Sequence, residues 1–101
     1  MQTADAQTLV LCALADGPKH GYAINTAIAE LTGERLGVGS LYGALARLEA
    51  KRFVEPEPSD AEGRKRPVRI TAEGRAVLER ELRSMAQVAA TGLRRLATGA
   101  A

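Results

Sequence analysis

Apolar residues recur at helical spacing in four places along the 101-residue chain, and glycine, proline and short polar runs separate them. In residues 6–15, Ala6, Leu9, Val10, Ala13 and Leu14 fall on one face of a helix. Asp5 stands where an N-cap or first-turn acid belongs. Asp16-Gly17-Pro18 is a strong stop, with glycine available for a left-handed cap and proline just beyond. Residues 22–32 repeat the pattern with Ile24, Ala27, Ile28 and Leu31 on one stripe, and Gly33 ends it. After a flexible Gly37-Val38-Gly39-Ser40 entry, residues 40–51 predict a third helix with Leu41, Leu45 and Leu48 buried. Its opposite face carries Ser40, Gly43, Ala44, Arg47 and Lys51, small near the start and basic later. That profile suits close approach to something negative, and it also suits a plain solvated face.

The pattern then changes. Residues 53–57 and 67–71 predict two short strands, and Pro56, Pro58 and Pro67 confine them to edges or strand ends. The polar, turn-rich Ser59-Asp60-Ala61-Glu62-Gly63-Arg64 joins them into a hairpin. Three helices followed by a hairpin is the order of a winged helix-turn-helix. Thr71 can cap a last helix, with Glu73 in its first turn where the helix dipole favours an acid. That helix predicts a run to about residue 97, roughly 40 Å at 1.5 Å per residue. Its seam is Leu78, Leu82, Met85, Ala89, Gly92 and Leu96, in heptad-like steps of four and three, widened by Leu93 and flanked by Ala86 and Ala90. Gly92 weakens the helix by about 1 kcal/mol. A twin helix in a second copy is the natural partner for this seam; packing back onto its own domain is the alternative. The expected class is mainly α (α+β). Residues 1–71 form the winged helix-turn-helix domain, and residues 72–101 the C-terminal dimerisation helix.

Composition narrows the choice of function. The chain is 46% apolar and 26% charged, as a folded domain is. It holds 19 alanines and 12 leucines but only three rings, Tyr22, Tyr42 and Phe53, and no tryptophan. Such a chain favours helices and has little bulk for a core, so a second copy is expected to complete it. The longest wholly apolar run, residues 9–15, is far short of the ~20 residues a membrane helix needs. No basic segment precedes it, so neither a signal peptide nor a membrane anchor is expected. The single Cys12 reads as a small core residue and the single His20 as structural, at the start of a helix. Together they supply no disulfide framework, no metal site and no catalytic set. No enzyme, metal or cofactor is expected, and a reducing cytoplasm is the expected home. A net charge of +2 and a pI near 9.0 permit nucleic-acid binding without requiring it.

Charge placement says more than net charge. Arg64-Lys65-Arg66-Pro67-Val68-Arg69 holds four bases and no acid at the tip and return strand of the hairpin. Arginines on a loop tip suit phosphate contact or insertion into a narrow minor groove. Glu55, Glu57, Asp60 and Glu62 lie nearby and are expected to turn away from a duplex or to weaken its binding. In the third helix, Ser40 can donate to a phosphate or a base. Tyr42 offers a hydroxyl on a rigid ring, or serves as a half-buried core ring. Gly43 and Ala44 allow close approach. Arg47 can grip guanine or phosphate, or pair with an acid such as Glu49, and Lys51 adds charge at the helix end. The expected DNA-binding set is Ser40, Tyr42, Gly43, Arg47, Lys51, Arg64, Lys65 and Arg66. The expected dimer set is Leu78, Leu82, Met85, Ala89, Leu93 and Leu96.

Three stretches of the chain resemble PadR-type transcriptional regulators of the short form with one C-terminal helix. They are Leu11-Cys12-Ala13-Leu14 with Gly17-Pro18-Lys19-His20-Gly21-Tyr22-Ala23-Ile24, then Gly39-Ser40-Leu41-Tyr42-Gly43-Ala44-Leu45-Ala46-Arg47-Leu48-Glu49, then Arg69-Ile70-Thr71-Ala72-Glu73-Gly74-Arg75. The resemblance implies a dimeric winged-helix protein on a roughly palindromic operator, usually a repressor, released in many members by an effector. It carries DNA contact to Ser40, Tyr42 and Arg47, and structural roles with a backbone-phosphate contact to Lys19, His20 and Tyr22. The chain departs from the pattern at Gly37, where a Ser or Thr cap is common. It departs again at Arg52, where glycine is common, and at Pro67-Val68, where aromatics are usual. The last change argues against a ring-lined pocket for a flat effector.

The leading expectation is therefore a homodimeric regulator, probing double-stranded DNA with the third helix (about 40–51) and the basic wing (about 59–69). The alternative is a winged-helix protein-interaction or sensor module that has lost DNA binding, which the low net charge and the acidic wing base favour.

Overall fold

The computed structural model describes residues 4–58 and 67–99. The order is α1 (Ala6–Leu14), α2 (Gly21–Thr32), α3 (Val38–Ala50), β1 (Val54–Pro56), β2 (Val68–Ile70) and α4 (Ala72–Gly99). The predicted winged-helix order is present.

Asp5 caps α1, its carboxylate accepting from the Thr8 amide at 2.8 Å. The helix ends at Leu14, one residue earlier than expected, and its C-cap is Ala15 in the right-handed region rather than a glycine. Leu9, Val10, Leu11, Ala13 and Leu14 are all buried, because α1 is packed by α2, α3, β2 and α4. A one-sided stripe is therefore too narrow a description of this helix. In α2, Ile24 and Ile28 are fully buried, but Leu31 stays more than half exposed, contrary to the stripe read from spacing. Gly33 closes α2 in the left-handed conformation, its amide donating to the Ala29 carbonyl at 2.8 Å.

Asn25, on α2, is buried, and its side chain fixes the connection to α3. Its Nδ2 donates to the Leu36 carbonyl at 2.8 Å, and its Oδ1 accepts from the Leu36 amide at 2.7 Å. The following helix, α3, begins two residues before the expected start, with Gly37 as an N-cap that has no side chain to offer. Leu41, Leu45 and Leu48 are buried as expected. Ala44 joins them at 2% exposed, so it belongs to the core and not to the outer face. An alanine fits either face of a helix, and spacing alone could not choose. At the end of α3, Arg52 adopts φ +63°, the left-handed conformation that glycine takes most easily.

Strands β1 and β2 pair antiparallel, Val54 with Ile70 and Pro56 with Val68. A third segment extends this sheet: Lys19 donates to the Val68 carbonyl at 3.0 Å, and Val68 donates back at 2.9 Å. The chain entering α2 is thereby tied to the wing.

The junction of wing and α4 is tight. The Thr71 amide donates to the Phe53 carbonyl at 3.0 Å, its hydroxyl donates to the Arg52 carbonyl at 2.8 Å, and the hydroxyl accepts from the Gly74 amide at 3.0 Å. Thr71 is thus the expected cap, and it also sews α4 to the end of α3. A Cβ on Gly74 would lie 2.2 Å from the Phe53 carbonyl oxygen and 2.9 Å from Ile70 Cγ1, so only glycine fits. Beyond this, only Leu78 of α4 is fully buried, and the rest of the helix projects. The molecule accordingly measures 64 × 25 × 20 Å. None of the described helices is long and apolar enough to cross a membrane.

Candidate nucleic-acid interface

Packing Leu41, Ala44, Leu45 and Leu48 inward turns the remaining residues of α3 to the outside. Ser40, Tyr42 and Arg47 are exposed, and among the described residues none of them has a side-chain hydrogen bond or ion pair. In particular, Arg47 is not paired with Glu49. Its guanidinium instead folds back over Gly43, with Nη1 3.3 Å from the position a Cβ there would take. Gly43 therefore acts as a shelf for Arg47. Tyr42 is 53% exposed and not a core ring, and its hydroxyl rests against Gly21 at the start of α2. A Cβ at Gly21 would lie 2.6 Å from that hydroxyl. The glycine between His20 and Tyr22 thus lets the two helices place one ring over the first turn of α2.

Other expected contacts are placed differently. Lys51 caps the far end of α3, and its ammonium donates to Gln7 Oε1 at 2.8 Å. It lines a groove with Asp5, Phe53, Val77 and Glu81, on the side of α1 and α4. Ser40, Tyr42, Gly43 and Arg47 are brought together on α3, whereas Lys51 is engaged elsewhere. Arg64, Lys65 and Arg66 lie outside the described residues. Arg69, the fourth base of that run, is committed within the hairpin. Its Nε and Nη2 donate to Glu55 Oε1 at 3.0 and 2.7 Å, and its Nη1 stands 4.0 Å from Glu57. The acids at the wing base therefore neutralise Arg69 across the strand pair.

In the segment before α2, Lys19 pairs with Asp16 and His20 is an exposed N-cap with no side-chain bond. The Lys19 ammonium, through its hydrogen bond and its charge, holds the Asp16 carboxyl below its ordinary value. This small stabilisation is present above the ordinary aspartate range and is lost as pH falls through the lowered value. Tyr22 is 78% exposed, and the Arg35 guanidinium lies 5.1 Å from its ring centroid.

On α4, the expected seam divides. Leu78 is 5% exposed and packs inside its own chain, because the first two turns of the helix lie on α1 and the wing. Outward-facing seam residues begin at Leu82, with Leu93 and Leu96 largely exposed and Met85 half-buried. Val88, which the heptad reading omitted, is 69% exposed.

Two comparisons bear on sequence kinship and one on shape. The model of the transcriptional regulator PadR-like family matches residues 10–80. A 37.1 kDa protein in transposon TN4556 of Streptomyces fradiae is 64% identical over 88 residues, covering 87% of this chain; the chain spans only 25% of that relative's length. Among solved structures, a PadR family transcription regulator from Clostridium difficile R20291 superposes with a TM-score of 0.76 at 26% identity, covering 90% of this chain and 97% of its own. Bordetella bronchiseptica BpsR, whose DNA binding is described as regulated by 6-hydroxynicotinic acid, superposes at 0.71 and 28% identity, covering 87% of this chain and 59% of its own. With 71 consecutive residues matched, and the helix-turn-helix and hairpin in place, the chain belongs to the PadR-like family of transcriptional regulators.

Proposed function

We propose that the chain binds double-stranded DNA as a homodimer and represses transcription from a pseudo-palindromic operator. The observation that carries this reading is the exposed group of Ser40, Tyr42 and Arg47 on the second helix of the helix-turn-helix, none of them paired among the described residues. A helix in the major groove reads bases through side chains near its N-terminus, and phosphate contacts set its register. Arg47, lying over Gly43 with no carboxylate partner among the described residues, is the group best suited to a bidentate contact. Arg47→Ala is expected to weaken specific binding by about 1–3 kcal/mol and to relax preference at one base position, measured by anisotropy on duplexes selected from genomic fragments. A uniform loss on all duplexes would make Arg47 a phosphate contact instead.

The dimer rests on α4. Leu82, Leu93 and Leu96 expose apolar surface on a helix that the chain itself covers only at its start. Paired α4 helices would set two α3 helices about one DNA turn apart, roughly 34 Å. Leu82→Glu is expected to give a monomer in sedimentation at micromolar concentration and to lose specific binding. An intact dimer would place the interface elsewhere. A flat aromatic effector has few rings to stack on, since the chain carries only Tyr22, Tyr42 and Phe53.

The neutralised Arg69 favours a second reading, a protein-interaction or sensor module without DNA binding. A titration with random duplex at low salt separates the two: absence of any salt-dependent binding supports the second.

A further inference from the structure

Arg35 lies in the connection between α2 and α3, two residues before the Gly37 cap, where spacing and motif gave it no role. It is exposed, yet its side chain is held at two points. The guanidinium lies over the Tyr22 ring at 5.1 Å, and Nη2 donates to Thr26 Oγ1 at 3.1 Å. Thr26 itself is anchored, its hydroxyl donating to the Tyr22 carbonyl at 3.1 Å. Tyr22 and Thr26 are one helical turn apart, so Arg35 is laid along the outer face of α2 rather than left in solvent. Among the described residues no carboxylate pairs with it, in contrast to Lys19, Arg69 and Arg83.

This arrangement differs from an ordinary surface arginine in a way that matters for an anion. A guanidinium has five N–H donors in a planar fork, and stacking on a ring leaves the edge of that fork free. Here one donor is engaged by a neutral hydroxyl, and the positive charge is not cancelled. The flanking residues are those of the candidate interface. Tyr22 is adjacent to Gly21, on which the Tyr42 hydroxyl rests, and α3 starts three residues after Arg35.

We infer that Arg35 is a further DNA contact, a phosphate clamp laid out in advance by Tyr22 and Thr26 at the edge of the α3 surface. The inference rests on the DNA-binding reading above. Phosphate contact carries no sequence information, so the effect must be uniform over sequences and must show in the salt dependence.

The test uses the full chain with a duplex of random sequence and a duplex selected from genomic fragments, each titrated across a range of salt concentrations. Arg35→Ala is expected to weaken binding about tenfold at low salt and to make the slope of log K against log salt shallower by about one unit. Arg35→Lys, which keeps the charge but loses the planar stack, is expected to fall between, as is Tyr22→Leu. Circular dichroism melting checks each variant, and Arg35→Lys serves as the measure if Arg35→Ala melts early. If the unaltered chain binds and Arg35→Ala binds with the same affinity and slope, the clamp is wrong and the DNA reading stands. If the unaltered chain shows no salt-dependent binding, both fall. A loss confined to one selected sequence would make Arg35 a base contact and overturn the phosphate assignment.

Discussion

Gly74→Ala is expected to destabilise the protein by about 3 kcal/mol or more, the upper end of what an inserted methyl does in a packed interior. The new Cβ would sit 2.2 Å from a backbone oxygen, and a backbone cannot rotate away as a side chain can. Relief requires α4 to move off Phe53, which breaks the Thr71 bonds that join wing, α3 and α4. For a domain of this size the melting point should fall by roughly 12 °C or more. Gly92→Ala supplies the contrast. Among the described residues of the chain nothing lies within 4 Å of its Cβ position, so in the Leu82→Glu background, where the seam that carries Gly92 is unpaired, removing a helical glycine there should be neutral or stabilising by up to about 1 kcal/mol. Opposite signs for the same substitution in the same helix are the expected thermal-melting result. Equal melting points would mean that α4 does not start against Phe53 as described.

Asn25→Ala should be nearly as damaging, for a different reason. It removes a donor and an acceptor together and leaves the Leu36 amide and carbonyl without partners, each worth about 1–3 kcal/mol when buried. A total of about 2–4 kcal/mol is expected in urea unfolding, with the slope unchanged. DNA affinity should fall further than stability alone accounts for, because Leu36 stands one residue before the cap of α3 and sets the entry of that helix. A change below about 0.5 kcal/mol would show that the connection holds its shape without Asn25.

Neither residue was legible in the sequence. Gly74 follows a good cap and looks like a weak helix former in a first turn; its necessity lies in a contact with residue 53, which spacing does not encode. Asn25 stands between apolar positions of α2, and helical spacing names no partner for it, because that partner is the backbone of Leu36, eleven residues on. Ala44 went to the outer face because alanine is silent about burial. Leu31 went to the inner one because the stripe was extended past the body it packs on. Cap residues and punctuation were legible, because their chemistry is local: Asp5, Gly33 and Thr71 each act within a turn of their own position. The outer face of α3 was legible for the same reason, its exposed residues being set by the period of Leu41, Leu45 and Leu48. Arg35 was not, because its fixing partners lie back along α2.

One residue, Thr71, separates the end of β2 from the start of α4, and that residue is bonded on both sides. There is no slack at the joint. The helix therefore behaves as a rigid arm of about 42 Å fixed to the wing. In a dimer held along Leu82–Leu96, centred roughly 26 Å out along each arm, a tilt of about 10° displaces each head by about 4–5 Å, more than one base-pair step of DNA. The crossing angle of the arms, and not the surface of α3, would then decide which operator spacings the protein accepts, and anything that changes that angle would retune the ruler without touching a single DNA contact.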